Sequence, residues 1–221
     1  MPIFNPAMET MSRKDLQELQ LAKLKKMVRY TYDRIPFYKN KLDSMKVSPD
    51  DIKSLDDIRR LPFTTKDDLR DNYPYGLFAT PLSDVVRIHA SSGTTGRSTV
   101  VGYTRNDLDM WSEVVARLAS AIVVTRDDIA QVAFGYGLFT GGFGLHYGLE
   151  KIGATLVPAS SGNTARQFQL MKDFGVTALI CTPSYALHMI DVMRECGIDP
   201  KKDLKLKYGL FGAEPWSESI R

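Results

Sequence analysis

The sequence predicts an α/β domain, a mainly parallel layered sheet flanked by helices, behind a helix-rich N-terminal lead-in. Three observations carry that prediction. Four short apolar, β-branched runs alternate with helical stretches of ten or so residues, and each of those stretches ends near a glycine suited to a left-handed cap. The first eighty or so residues lack the alternation and are punctuated by prolines instead. Strands separated by helices of that length need right-handed crossovers, which lay the strands parallel and cover both faces of the sheet.

Region 1–81 is the lead-in. Ser12, with Asp15 three positions on, opens a helix that carries Leu16, Leu19, Leu24, Val28 and Tyr32 until Pro36 stops it. Ser48 ahead of Pro49, and later Thr64 or Thr65, open shorter pieces between Pro62, Pro74 and Pro81. Lys66, Asp67, Asp68 and Arg70 read as solvated charges. Region 82–221 begins with a strand, a polar loop and a strand: Val85, Val86 and Ile88, then Thr99, Val100, Val101 and Tyr103. Thr104 caps a helix to about Ala121, with Leu108, Trp111, Val115 and Leu118 on one face. The alternation follows, with strands at 129–134, 155–157, 178–181 and 206–211. Helices lie between them at 142–151, 164–174 and 184–196, closing near Gly153, Gly175 and Gly197. Glu214-Pro215 is expected to open one more helix, on which the sequence stops as if inside a domain.

Composition narrows the classes of function. With 29 Lys+Arg against 26 Asp+Glu, the net charge of +3 is too small and too evenly spread for a nucleic-acid partner. Hydrophobic residues at 43% supply a core, which excludes a disordered chain. Cys181 and Cys196 show no CxxC and no histidine cluster, so neither a disulfide framework nor a metal site is expected. No window reaches the roughly eighteen apolar residues of a membrane span. Residues 1–12 lack a secretory pattern, and a cytoplasmic location is the expectation.

Three segments could carry chemistry. The loop Ser91-Ser92-Gly93-Thr94-Thr95-Gly96-Arg97-Ser98-Thr99 concentrates hydroxyls, two glycines and a fixed cation, which together suit phosphate oxygens. It is not a Walker A loop: GxxxxGK[ST] is absent and a strand, not a helix, follows. A polar hairpin turn explains the same residues, and their pattern alone leaves both readings open. The second segment, Phe134 to Gly144, mixes aromatics with glycines at a strand's carboxyl end, where ligands of open α/β sheets bind. So many glycines would make a loose core segment, which favours a pocket for a flat aromatic acid. The third, Leu210 to Pro215, is again a strand end, and by itself an ordinary strand-to-helix turn. His89, His146 and His188 read as structural, and Cys181 as an inert buried thiol. No GxGxxG follows a strand to open a helix, which disfavours a nicotinamide-dependent dehydrogenase.

Taken in order, these motifs resemble the adenylate-forming enzymes, and among them the phenylacetate-CoA ligases. The resemblance spans essentially the whole chain, through Leu61-Pro62-Phe63-Thr64-Thr65-Lys66-Asp67-Asp68-Leu69-Arg70, Ser91 to Gly96, Tyr136 to Gly142 and Phe211 to Pro215. It implies that Ser91, Ser92, Gly93, Thr94, Thr95, Gly96 and Arg97 hold the triphosphate of ATP. It further implies that Gly212, Ala213, Glu214 and Pro215 border the adenine, and that Phe134, Tyr136, Phe139 and Gly141 line the aryl-acid pocket. The implied reaction joins phenylacetate, or a related aryl acid, to coenzyme A through an acyl-adenylate, with ATP, Mg2+ and CoA as co-substrates and a homodimer as the assembly. Where the family's loop continues Lys-Pro, this chain has Arg97-Ser98, which keeps the cation but gives it a planar fork. The family's magnesium-associated acid, ribose-binding aspartate and C-terminal domain with its catalytic lysine have no counterpart within these 221 residues. The resemblance therefore implies an incomplete N-terminal domain that holds no catalytic residue and is inactive by itself. Adenylation of another aryl acid or of a deazaflavin cofactor, and a non-catalytic nucleotide-binding module, fit the same motifs.

Overall fold

The computed structural model describes residues 2–93, 96–138 and 140–220. The chain divides into two compact units, one of Pro6–Asn106 and one of Met1–Asn5 with Asp107–Arg221.

In the first unit, a short helix α1 (Pro6–Glu9) precedes α2 (Arg13–Arg34). The Ser12 hydroxyl caps α2, accepting from the Asp15 amide at 3.1 Å and donating to the Asp15 carboxylate at 2.6 Å. Pro36 both ends α2 at Ile35 and opens α3 (Pro36–Ser44), because a proline cannot donate inside a helix but suits its first position. Val28, Leu42, Val47 and Ile52 close a small core between these pieces. Two 3-10 turns, Pro49–Asp51 and Leu55–Arg60, each start with a reciprocal Ser/Asp capping box. Helix α4 (Lys66–Asp71) starts with the same device, Thr65 and Asp68. The unit ends in an antiparallel hairpin of β1 (Val85–Ala90) and β2 (Val100–Thr104), in which Ala90 faces Val100 across the base of the polar loop.

Helix α5 (Arg105–Ala121) leads into the second unit. There β3 (Ile129–Val132), α6 (Thr140–Ile152), β4 (Thr155–Val157), α7 (Thr164–Phe174), β5 (Ala178–Cys181), α8 (Pro183–Glu195), a four-residue α9 (Pro200–Asp203) and β6 (Tyr208–Phe211) follow in turn. All pairings in this sheet are parallel, in the order β4-β3-β5-β6. Alternate residues feed two cores. Ala130, Val132, Ala178 and Ile180 pack with Ala119 of α5 and Leu149 of α6, whereas Leu179 and Cys181 pack with Phe168 and Met171 of α7 and Met189 of α8. The Thr177 hydroxyl ties the lower ends of β3 and β5 together, donating to buried Asp128 at 2.8 Å. Gly153, Gly175 and Gly197 adopt φ of 92°, 64° and 65° just past their helices, as the spacing predicted.

Three local expectations do not hold. The strand expected over 129–134 stops at Val132, and the one expected over 206–211 starts only at Tyr208. The helix expected from Glu214-Pro215 is replaced, among the described residues, by a turn closed by the Ile220 amide on the Ser217 carbonyl at 3.0 Å.

Candidate functional site

The polar loop sits at the tip of the β1–β2 hairpin. Its base is closed by the Ser91 amide on the Thr99 carbonyl at 3.0 Å and by the Thr99 amide on the Ser91 hydroxyl oxygen at 2.9 Å. A tighter turn forms within it, the Gly96 amide donating to the Gly93 carbonyl at 3.1 Å. Gly93 and Gly96 hold φ of 69° and 135°, values that side-chain-bearing residues rarely adopt. Ser91, Ser92, Gly96 and Arg97 are exposed. The Arg97 guanidinium carbon lies 5.9 Å from the centroid of the Tyr73 ring, a cation–π contact that braces it. Thr94 and Thr95 lie outside the described residues. The loop thus presents a fixed positive charge and exposed hydroxyls on a tightly turned backbone, a set of donors suited to an anion.

The aromatic segment belongs to the second unit and leaves the sheet at the carboxyl end of β3. Phe134 is 8% exposed and packs in the core beside Val132. Tyr136 stands at the edge of that layer, its ring meeting Phe143 edge-on at 5.2 Å. Its hydroxyl shares a 3.2 Å hydrogen bond with His146 Nδ1, and His146 Nε2 lies 3.1 Å from a Glu150 carboxylate oxygen. An imidazole that donates from Nε2 to Glu150 accepts the Tyr136 proton at Nδ1, which makes a chain of three groups. Burial, followed by the charge of Glu150, pushes the Tyr136 phenol up to about 12, so it keeps its proton. Phe139 lies outside the described residues. Gly141 occupies the first turn of α6.

The glycines that follow have a different cause from the one the sequence suggested. Gly142, Gly144 and Gly148 are buried within a continuous helix α6, not in a loose segment. A Cβ on Gly144 would stand 2.4 Å from the Trp111 indole, one on Gly148 2.3 Å from Val115, and one on Gly142 3.0 Å from the Gly135 carbonyl oxygen. They let α6 press against α5 and against the strand-end loop. Gly135 and Gly137 alone of this run's described glycines remain in the loop itself.

The third segment caps a neighbour. Beyond β6 the Gly212 amide donates to the Cys181 carbonyl at 3.3 Å, and the Cβ position of Gly212 opens on empty space. Ala213 takes a φ of 73°, and the Glu214 carboxylate then accepts the Ser184 amide at 2.5 Å in the first turn of α8. The Ser184 hydroxyl and amide hold Glu214 below the usual carboxylate range. Pro215 is exposed. The ends of β5 and β6 are thereby joined by a side chain. Cys181, beside them, is pushed up to about 12 by burial, and is inert as expected.

Sequence reasoning passed over Tyr73, Glu150 and Ser184, and it read Arg70 as a solvated charge and His146 as structural. The four-residue spacing of His146 and Glu150 on one helix carried a usable signal. Nothing in the spacing pointed Tyr73 toward Arg97.

Comparison with known proteins bears on this arrangement. No family model matches the chain. The solved structure of 2-hydroxyisobutyryl-CoA ligase in complex with 2-HIB-AMP and CoA superposes on 95% of the chain at a TM-score of 0.89 and 31% identity, which takes in 46% of that chain. The same ligase in its postadenylation state matches 96% of the chain at 0.89 and 30%. Over nearly its whole length the chain is similar to part of an adenylate-forming CoA ligase. Within that class its sequence is similar to the phenylacetate-coenzyme A ligases: it is 50% identical to those of Aromatoleum evansii and Escherichia coli, over 100% and 96% of this chain and 51% and 49% of those proteins. The chain spans about half the length of the curated relatives it matches.

Proposed function

We propose that this chain is the nucleotide- and acid-binding part of a phenylacetate-CoA ligase, which joins phenylacetate or a related aryl acid to coenzyme A with release of AMP and pyrophosphate. The observation that supports the reading best is the 50% identity along the whole chain to ligases of that name. In the first step a carboxylate oxygen attacks the α-phosphorus of ATP and pyrophosphate leaves, giving the acyl-adenylate. In the second, the CoA thiol attacks the acyl carbon, losing its proton, and AMP departs. A carboxylate is a poor electrophile because oxide would have to leave. Adenylation substitutes a phosphate as leaving group, so positioning and charge stabilisation are what the protein supplies.

In this reading Ser91, Ser92, Gly93, Thr94, Thr95, Gly96 and Arg97 steady the triphosphate and the departing pyrophosphate. Gly212, Ala213, Glu214 and Pro215 border the adenine, with the open space above Gly212 allowing a flat ring to approach. Phe134, Tyr136, Phe139 and Gly141 border the aryl acid, Tyr136 as a neutral phenol held by His146. Among the described residues no three His, Cys, Asp or Glu side chains converge where they could hold a metal ion. Magnesium is proposed only as the companion of ATP, held chiefly by the phosphates and water. A homodimer and a cytoplasmic location complete the proposal. The exposed free thiol of Cys196 suits a reducing compartment, and among the described residues no helix is long and apolar enough to cross a membrane.

The intact protein, given ATP and CoA, should release pyrophosphate only when phenylacetate or a close aryl acid is added. Release that ignores the acid would overturn the reading. In calorimetry Arg97→Ala should weaken ATP about tenfold, on the scale of one lost charge-assisted contact, and leave aryl-acid affinity unchanged. Equal loss of both would remove Arg97 from the phosphate role.

A further inference from the structure

The segment Leu61 to Arg70 is one of the motifs by which the chain resembles its family, yet the functional reading above gives it no task. The structure places its last residue against the phosphate loop. A Cβ built on Gly96 would stand 3.7 Å from Arg70 Cζ and 3.8 Å from both Nε and Nη2. Three nearly equal distances mean that the flat guanidinium lies face-on against the Gly96 backbone. A guanidinium donates only in its own plane, so this packing leaves its N–H groups pointing away from Gly96.

Other contacts fix the side chain there. Asp67 takes one end of the fork, Nη1 to Oδ1 at 3.0 Å, within the single turn of α4. The helix is itself pinned by the Asp68 carboxylate, which accepts the Thr65 amide at 2.7 Å and Lys41 Nζ at 2.8 Å. Only 24% of the Arg70 side chain is exposed, far less than the 80% of its partner Asp67, so this is not the solvated charge that its sequence context suggested. Three residues on, Tyr73 lies under Arg97. One stretch of eight residues, 66–73, therefore meets the loop at two successive positions, Gly96 and Arg97.

We propose that Arg70 is a second cation of the phosphate loop, binding the polyphosphate end of the nucleotide together with Arg97, on a platform formed by α4 and Tyr73. The proposal rests on the reading of the loop as the triphosphate site. Two guanidiniums beside one short turn, one from the loop and one from α4, match an anion that carries several charges, and they favour it over a monophosphate, which offers fewer.

Binding of ATP, AMP and inorganic tripolyphosphate to the intact protein, measured by calorimetry, tests the idea apart from turnover. Arg70→Gln should weaken ATP and tripolyphosphate about tenfold, or ~1.4 kcal/mol, while AMP affinity stays within about twofold. Arg70→Lys keeps the charge but not the fork and should recover part of the loss. Thermal unfolding of each variant reports whether the fold has survived. Unchanged ATP affinity in a folded Arg70→Gln protein overturns the proposal, as does an equal loss for ATP and AMP, which would mark Arg70 as a structural support only. If the unmodified protein binds neither ATP nor tripolyphosphate, the failure lies with the loop's nucleotide role itself.

Discussion

Glycine serves opposite purposes in the two units. At the hairpin tip, Gly93 and Gly96 are needed for what their backbones do, since both hold positive φ in an exposed turn. In α6, Gly144 and Gly148 have ordinary helical backbones and are needed for what they lack, a side chain that would collide with Trp111 or Val115. In the proposed function the first kind shapes a surface to receive a ligand; the second lets two helices touch. A sequence shows only the letter G in both cases. The physical test that separates them is whether an added methyl group would meet a neighbour or strain the chain.

That contrast can be broken by substitution. Gly144→Ala should be the most damaging change, costing about 2–3 kcal/mol through overpacking against the indole, read as a lower urea midpoint. A midpoint within error of the parent would mean that α5 and α6 are not locked as described. Gly93→Ala should cost about 1–2 kcal/mol, the penalty of a left-handed alanine, since the Ser98 hydroxyl nearest its Cβ can rotate away and the Gly96 carbonyl oxygen at 3.1 Å has only to give slightly. Its larger effect should fall on ATP affinity, which a fluorescent ATP analogue would report; a variant that loses stability but not affinity would contradict the division of roles.

The smallest effect concerns charge. The Glu113 carboxylate accepts from Asn5 at 2.7 Å and Arg117 at 3.0 Å, with Lys151 at 3.7 Å, and the Asn5 hydrogen bond first, then Arg117, holds it below its ordinary value. A depressed carboxylate stabilises the fold above its unfolded pKa and ceases to do so as pH falls through the folded one. Glu113→Gln should therefore lose no more than about 1 kcal/mol at neutral pH, a partly exposed pair being screened by solvent. The gap should close as pH drops below about 4.3. A gap that persists after the native carboxylate has been protonated would show that the loss is one of packing.

Much of this fold was legible in the residues, for reasons that can be named. Thr164–Phe174 and Ala178–Cys181 formed where apolar spacing and flanking glycine put them, because both burial and capping favoured the same ends. The helix start at Ser12 was equally readable, since its cap is local in sequence. The helix expected after Glu214 failed because the acid that would have opened it caps α8 instead, thirty residues upstream. His146, read as structural, has both ring nitrogens engaged, by Tyr136 and Glu150. Arg70 was misjudged because its place against the loop is set by tertiary contact, and polarity alone does not distinguish an engaged side chain from a solvated one.

The stitch between Glu214 and Ser184 has one more implication. A single amide proton at the head of α8 is sequestered only while the peptide after β6 keeps its place, so the rate at which that proton trades with deuterium becomes a gauge of the segment. Any small molecule that settles on Gly212 and steadies its surroundings would slow the exchange at Ser184, and an observer could follow occupancy there without waiting for a product.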